Sequence, residues 1–83
     1  MEHYLILARS VTLAQRMQRV LDRAGLSCRV YRAPRDLTDL GCAYALRLST
    51  RDLSRALVVL HGEGLDPIQV FLYQSGLYRE VEP

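Results

Sequence analysis

Cys42 is the residue of this chain that is best suited to covalent chemistry. It ends the segment 34–42, which also contains Arg35, Gly41 and two aspartates. The thiolate is the nucleophilic form of cysteine, and a neighbouring guanidinium favours it because arginine keeps its charge in any surroundings. We therefore predict Cys42 as a reactive thiol and Arg35, with Arg32 as a second candidate, as the cation that stabilises its thiolate. The alternative is a buried structural cysteine, since cysteine is among the most buried residue types.

The other residue types that often do catalysis form no recognisable pattern. Cys28 lies beside Val30 in a predicted strand and is interpreted as a core residue, and a disulfide between Cys28 and Cys42 is left open. His3 and His61 have no triad-like neighbours, and no Cys-x-x-Cys spacing occurs, so we expect no metal and no cofactor. All eleven basic residues are arginine, which excludes lysine Schiff-base chemistry. An enzyme with its own turnover is therefore disfavoured.

The composition indicates one small globular domain. The 83 residues are 49% hydrophobic and 24% charged, which is ordinary for a folded chain. No apolar run reaches the ~18 residues of a membrane helix, and no export signal is recognised, so we expect a cytoplasmic protein without a membrane partner. The net charge of +2 is too small to indicate a nucleic-acid surface by itself.

The elements that must position Cys42 follow from the hydrophobic periodicity. Alternating and apolar runs predict strands at 3–8, 28–32, 44–48 and 68–73. Ser10 and Thr12 both offer a side-chain oxygen that could cap the first helix, and residues 12–15 have the form of a capping box with Thr12 as its cap. Gly25 is a typical helix stop. The second helix is capped by Ser49 or Thr50.

The resulting order, βαββαβ, predicts a ferredoxin-like α+β sandwich, with a four-stranded antiparallel sheet and two helices on one face. We expect a single domain over residues 1–76 and a C-terminal tail over residues 77–83. In this arrangement the 34–42 connection is expected at the opposite sheet edge from the start of the first helix. If Tyr4, Ile6 and Ala8 point to the helices, Leu5 and Leu7 are expected on the face without helices, and the reverse assignment is left open. Such an uncovered apolar face favours a homo-oligomer that pairs through it.

Three short stretches of the chain resemble a known family. They are residues 4–7, the helix start at 9–12, and the Pro34-Arg35-x-Leu37 run with Cys42 ahead of the third strand. Together they resemble the selenium/sulfur carrier protein-like family of small bacterial domains, over roughly residues 3–73. Ala43 stands where members of that family have glycine after the cysteine. The resemblance implies a carrier that holds sulfur or selenium on Cys42 as a persulfide-type adduct and exchanges it with donor and acceptor proteins.

Four further residues are candidates for binding a ligand near that thiol. Pro34 and Gly41 bracket the loop, and Ser10 and Thr12 lie at the start of the first helix. Helix N-termini attract anions because their backbone N–H groups lack partners within the helix. We interpret Ser10 and Thr12 mainly as helix caps and only secondarily as ligand contacts.

Two other functions compete with the carrier hypothesis. An RNA-recognition domain has the same strand order, but only Tyr4 and Tyr44 are available for base stacking, so the sequence disfavours a nucleic-acid partner. A non-catalytic dimerisation or small-ligand regulatory module would use the apolar sheet face instead of Cys42. A stripe formed by Arg16, Arg19 and Arg23 on the first helix is interpreted as a solvated face.

Overall fold

A computed structural model of the chain describes residues 2–34, 37 and 43–82. The elements within these residues are, in chain order, β1 (His3–Ala8), α1 (Val11–Arg23), β2 (Val30–Arg32), β3 (Tyr44–Leu48), α2 (Leu53–Gly62), β4 (Gln69–Gln74) and β5 (Leu77–Val81). A 3-10 turn over Thr50–Asp52 leads into α2. None of the helices in these ranges is both long and apolar enough to cross a membrane.

The sheet has the order β2-β3-β1-β4-β5, and all neighbouring strands are antiparallel. The first four strands in this order have the ferredoxin-like arrangement, so the predicted α+β fold is correct in outline. The expected strand count is wrong, because Leu77–Val81 pairs along β4 as a fifth strand. A two-residue turn makes this pairing possible, since Ser75 (φ 54°) and Gly76 (φ 80°) both have the positive φ that tight hairpins require.

The ends of α1 show one correct and one incorrect prediction. Ser10 is the N-cap, and its hydroxyl oxygen accepts a hydrogen bond from the Leu13 N–H at 3.1 Å. Thr12 is therefore inside the first turn and does not cap the helix as the 12–15 pattern suggested. Gly25 ends the helix as predicted, with a φ of 81°, and the Leu26 N–H returns to the Leu21 carbonyl at 2.8 Å.

Both helices pack on one face of the sheet, as predicted. The main core joins them to the even-numbered side chains of β1 and β3, and its members are Ile6, Ala8, Ala14, Met17, Leu21, Leu26, Leu46, Leu48, Ala56, Leu60, Leu65 and Val70. Arg55 of α2 also donates a hydrogen bond from Nη2 to the Ala24 carbonyl at 2.9 Å. This bond satisfies a carbonyl at the C-terminus of α1, where a positive charge is favourable, and it ties the two helices together.

The other face of the sheet has a core of its own. Leu5 and Leu7 face away from the helices, as expected, yet both are 0% exposed within the single chain. They form a second cluster with Ala43, Ala45 and Phe71, and partly buried residues pack against it, namely Ala33, Leu37 and Ile68. The expectation of an uncovered apolar face is therefore wrong at its centre, because this chain already buries Leu5 and Leu7.

Candidate functional site

The predicted site lies on the connection between β2 and β3. Cys42, Arg35 and Gly41 lie outside the described residues. The ends of the connection are joined by a hydrogen bond from the Ala33 N–H to the Ala43 carbonyl at 3.0 Å. Ala43, the covalent neighbour of Cys42, is 2% exposed. Ala33 and Ala43, which flank the connection, are therefore held next to each other.

Leu37 anchors the middle of the same connection. Its N–H donates to the Pro34 carbonyl at 3.2 Å, which closes a turn directly after β2. Its side chain packs against the second cluster beside Leu7 and Phe71. Pro34 itself is exposed. The connection is thus attached to the sheet through the apolar face that has no helices.

The register places this connection and the start of α1 at the same end of the sheet. Ala8, the last residue of β1, pairs with Tyr44, the first residue of β3, and Tyr44 pairs with Arg32, the last residue of β2. The expectation that the connection lies at the opposite sheet edge from the helix start is therefore wrong. The physical reason is that β1 and β2 both run antiparallel to β3, so their C-terminal ends point the same way.

Of the two helix-start candidates, only Ser10 has a defined structural task. Its hydroxyl oxygen already accepts the Leu13 N–H. Thr12 is exposed in the first turn of α1. Both residues share the sheet end with Pro34, but the role of all three as ligand contacts stays a prediction.

Cys28 has the properties of a structural cysteine. It is a free thiol of intermediate exposure and packs against the main core. Burial, and secondarily the nearby Asp22 carboxylate, raise the pKa of its thiol from the ordinary value of 9.0 to about 11. The Cys28 carbonyl also accepts a hydrogen bond from Gln18 Nε2 at 2.9 Å, which fixes the backbone ahead of β2. Cys28 is therefore almost entirely protonated at neutral pH, which makes it a poor nucleophile.

The two tyrosines considered for base stacking lie on the helix side of the sheet. Tyr4 and Tyr44 both pack against the main core. The aromatic side chains of the other face are different ones, since His3 stacks on Tyr73 with ring centroids 4.8 Å apart and Tyr78 lies 4.8 Å from Tyr73. The alternation of β1 correctly separated Tyr4 from Leu5 and Leu7, but it did not decide which face the helices cover.

A cleft that the sequence did not indicate opens at the other end of the sheet, where β1 begins and β3 ends. It has a volume of about 900 Å³ and is lined by Glu2, His3, Ser27, Cys28, Arg29, Tyr31, Arg47 and Ser49. Alternation along the predicted strand 28–32 puts Arg29 and Tyr31 on one face, and this is the part of the cleft that the sequence could have indicated. Only the register with β3 shows that Arg47 lies on the same face.

The described part of the chain offers little support for a metal site or for acid–base catalysis. No group of three or more His, Cys, Asp or Glu side chains in these residues could hold a metal ion. His61 and Asp66 contact each other at 3.0 Å between Nδ1 and Oδ1, but both are well exposed. The stripe of Arg16, Arg19 and Arg23 is exposed on α1, as predicted.

Comparison with known proteins gives one match. A family model described as "Putative Se/S carrier protein-like" matches residues 3–72. The match extends over both helices and nearly all of the first four strands, and it includes both cysteines. No curated protein and no solved structure matches the chain.

Proposed function

Because the chain belongs to the Se/S carrier protein-like family, we propose that it carries sulfur or selenium as a persulfide-type adduct on the thiolate of Cys42. We choose Cys42 because of the burial and the raised pKa of Cys28, the other cysteine of the chain. A carrier thiol must ionise readily and be reached by its partners. Cys28 meets neither condition well, since it is half-buried against the core and its pKa is raised to about 11.

The position of Cys42 in the chain supports the same choice. It directly precedes Ala43, which lies immediately before β3, and this end of the sheet also contains the exposed Pro34 and the N-terminus of α1. Functional groups are commonly held on connections between rigid elements. Leu37 packs against the second cluster, and this contact attaches the connection that contains Cys42 to the sheet.

The chemistry is an exchange between sulfur atoms that needs no external oxidant or reductant. The Cys42 thiolate attacks the terminal sulfur of a protein persulfide, R–S–SH. A new S–S bond forms on Cys42, the donor's S–S bond breaks, and the donor leaves as the thiolate R–S⁻. An acceptor thiolate then attacks the terminal sulfur of Cys42–S–SH, takes it, and regenerates the Cys42 thiolate. A donor of the type R–S–SeH delivers selenium by the same two steps.

Arg35 has the supporting role in this proposal. Its guanidinium favours the Cys42 thiolate over the thiol, which increases the fraction of nucleophile at neutral pH. Pro34, Gly41, Ser10 and Thr12 are the proposed contacts for the group that is delivered. The partners are donor and acceptor proteins that present a persulfide or a thiolate. Self-association through the sheet face without helices also stays a prediction.

Persulfide labelling tests the proposal. The purified protein is incubated with a small-molecule persulfide, blocked with an alkylating reagent and digested, and its peptides are weighed by mass spectrometry. We expect the extra sulfur atom on the peptide that contains Cys42, and an acceptor thiol should remove it. Cys28→Ser is the matched control and should label like the wild type, whereas Cys42→Ser should not label. Equal labelling of Cys42→Ser and wild type would refute the carrier role.

A further inference from the structure

The cleft at the beginning of β1 gathers positive charge and hydrogen-bond donors in one place. Arg29 and Arg47 contribute two guanidinium groups, and Ser27, Ser49 and Tyr31 contribute hydroxyl groups. Glu2 is the single carboxylate in the lining, and it already accepts a hydrogen bond from Gln74 Nε2. The cleft therefore combines a net positive charge with several donors. Its volume of about 900 Å³ lies within the ~300–1,000 Å³ typical of small-molecule sites.

The strand register brings the two arginines of the cleft together. Val30 and Leu46 form the pair at this end of the β2–β3 ladder, so Arg29 and Arg47 lie one residue beyond it, and both line the cleft. Like charges held close together repel each other. Neither arginine forms an ion pair with a carboxylate in residues 2–34, 37 and 43–82. An anion between the two guanidinium groups would turn this repulsion into attraction.

Tyr31 completes the donor set from the middle of β2. It pairs with Ala45, which places it diagonally beside Arg47 on the same face of the sheet. Burial and the neighbouring Tyr78 phenol raise the pKa of the Tyr31 phenol, and the Arg47 guanidinium acts in the opposite direction. Tyr31 and Arg47 both line the cleft, so their side chains are available to the same ligand. His3, which is 8% exposed, forms the floor of the cleft beside them.

We propose that this cleft binds the phosphate-type oxyanion group of a small ligand between Arg29 and Arg47. Guanidinium groups match such oxyanions in geometry, because each can donate two parallel hydrogen bonds. The Tyr31 hydroxyl donates a further bond, and Ser27 and Ser49 supply hydroxyls at the rim. The size of the cleft leaves room for an organic body next to the anion, against the ring of His3.

This site is separate from the proposed carrier thiol. The cleft lies where β1 begins and β3 ends, whereas the connection that contains Cys42 joins β2 to β3 at the other end of the sheet. Failure of one proposal therefore leaves the other standing. Cys42→Ser should bind the anion as the wild type does.

Binding of inorganic phosphate and of AMP, each measured by isothermal titration calorimetry, tests the proposal. We expect saturable binding to the wild type that weakens about tenfold or more in Arg29→Gln and in Arg47→Gln. Tyr31→Phe should weaken it less, since it removes one neutral donor. Arg16→Gln is the matched control, because Arg16 is an exposed arginine outside the cleft, and it should bind normally. Tighter binding of AMP indicates an organic phosphate, and equal affinities indicate a free oxyanion.

Thermal unfolding gives a second readout that does not depend on the organic part of the ligand. When phosphate is added to a buffer that contains none, it should raise the melting temperature of the wild type more than sodium chloride of the same ionic strength does. The variant Arg29→Gln with Arg47→Gln should lose this difference. Absence of saturable binding of both probes, or wild-type binding by the double variant, would overturn the proposal.

Discussion

Cys28 illustrates how position within a fold controls the reactivity of a thiol. Its side chain packs against the main core, and burial together with the Asp22 carboxylate opposes ionisation. Both effects disfavour the thiolate, one through loss of solvation and the other through repulsion between like charges. A cysteine of this kind contributes to packing rather than to chemistry. The proposed carrier role therefore rests on Cys42, with Arg35 as the proposed source of positive charge beside it.

The raised pKa of Cys28 predicts a change of stability at alkaline pH. The unfolded thiol ionises near 9.0 and the folded one near 11, so the free energy of unfolding falls as pH rises between these values. We expect Cys28→Ser to reduce this slope, and Cys42→Ser to retain it. Urea unfolding at a series of pH values measures it. Tyr31, whose pKa is also raised, accounts for part of the slope that is left. An unchanged slope in Cys28→Ser would contradict the assignment.

At the scale of elements, the β4–β5 hairpin depends on two residues of unusual conformation. Ser75 and Gly76 both have positive φ, which matches the twist of the paired strands. The sequence contains this signal as a two-residue Ser-Gly break between alternating runs, but the break also fits a chain that leaves the sheet as a tail. The observed pairing brings Tyr78 beside Tyr73 and thereby extends the aromatic surface of the second face.

Gly76, which has a positive φ, and Gly62, which is helical, provide a matched pair of substitutions. We expect Gly76→Ala to lower the free energy of unfolding by about 1 kcal/mol, because an L side chain is strained at a φ of 80°. Gly62→Ala should be neutral or stabilising by up to about 1 kcal/mol, since Gly62 is helical and has open space where a Cβ would lie. Urea denaturation measures both. Equal effects of the two substitutions would argue against the observed turn.

At the scale of the whole molecule, the sheet has apolar cores on both of its faces. The main core lies under the helices, and the second cluster around Leu5 and Leu7 lies on the opposite face. A small domain can bury only a limited apolar area, so a second core adds to the stability that the main core provides. The second cluster also ties the connection that contains Cys42 to the rest of the fold, through Leu37.

Truncation of Leu7 distinguishes burial within one chain from burial between two copies. We expect Leu7→Ala to cost about 2–5 kcal/mol in the free energy of unfolding, as for other fully buried leucines. Because the single chain already buries Leu7, this loss should be the same at low and at high protein concentration. Leu77→Ala is the control, since Leu77 is 73% exposed and its truncation should have little effect. A loss that changes with protein concentration would instead indicate that Leu7 is buried between copies.

The strands and helices were largely predictable because their signals are local. The apolar run of β1 and the alternation of β3 defined His3–Ala8 and Tyr44–Leu48 at the observed bounds, and Gly25 marked the end of α1. β2 proved shorter than expected, and β4 is shifted by one residue, since strand ends depend on partners and not on propensity alone. Cys42 could be selected from its residue type and neighbours, although its role stays a prediction.

The sequence by itself determined the family, the order of the first six elements and the choice of Cys42 over the histidines as the candidate group. The tertiary structure decided which strand residues meet. It joined Arg29, Tyr31 and Arg47 in one cleft, placed the start of α1 and the β2–β3 connection at the same end of the sheet, and closed a second core over Leu7. The reason is physical. Periodicity along a strand defines its two faces, but only pairing with distant strands fixes the register and the face that each neighbour covers.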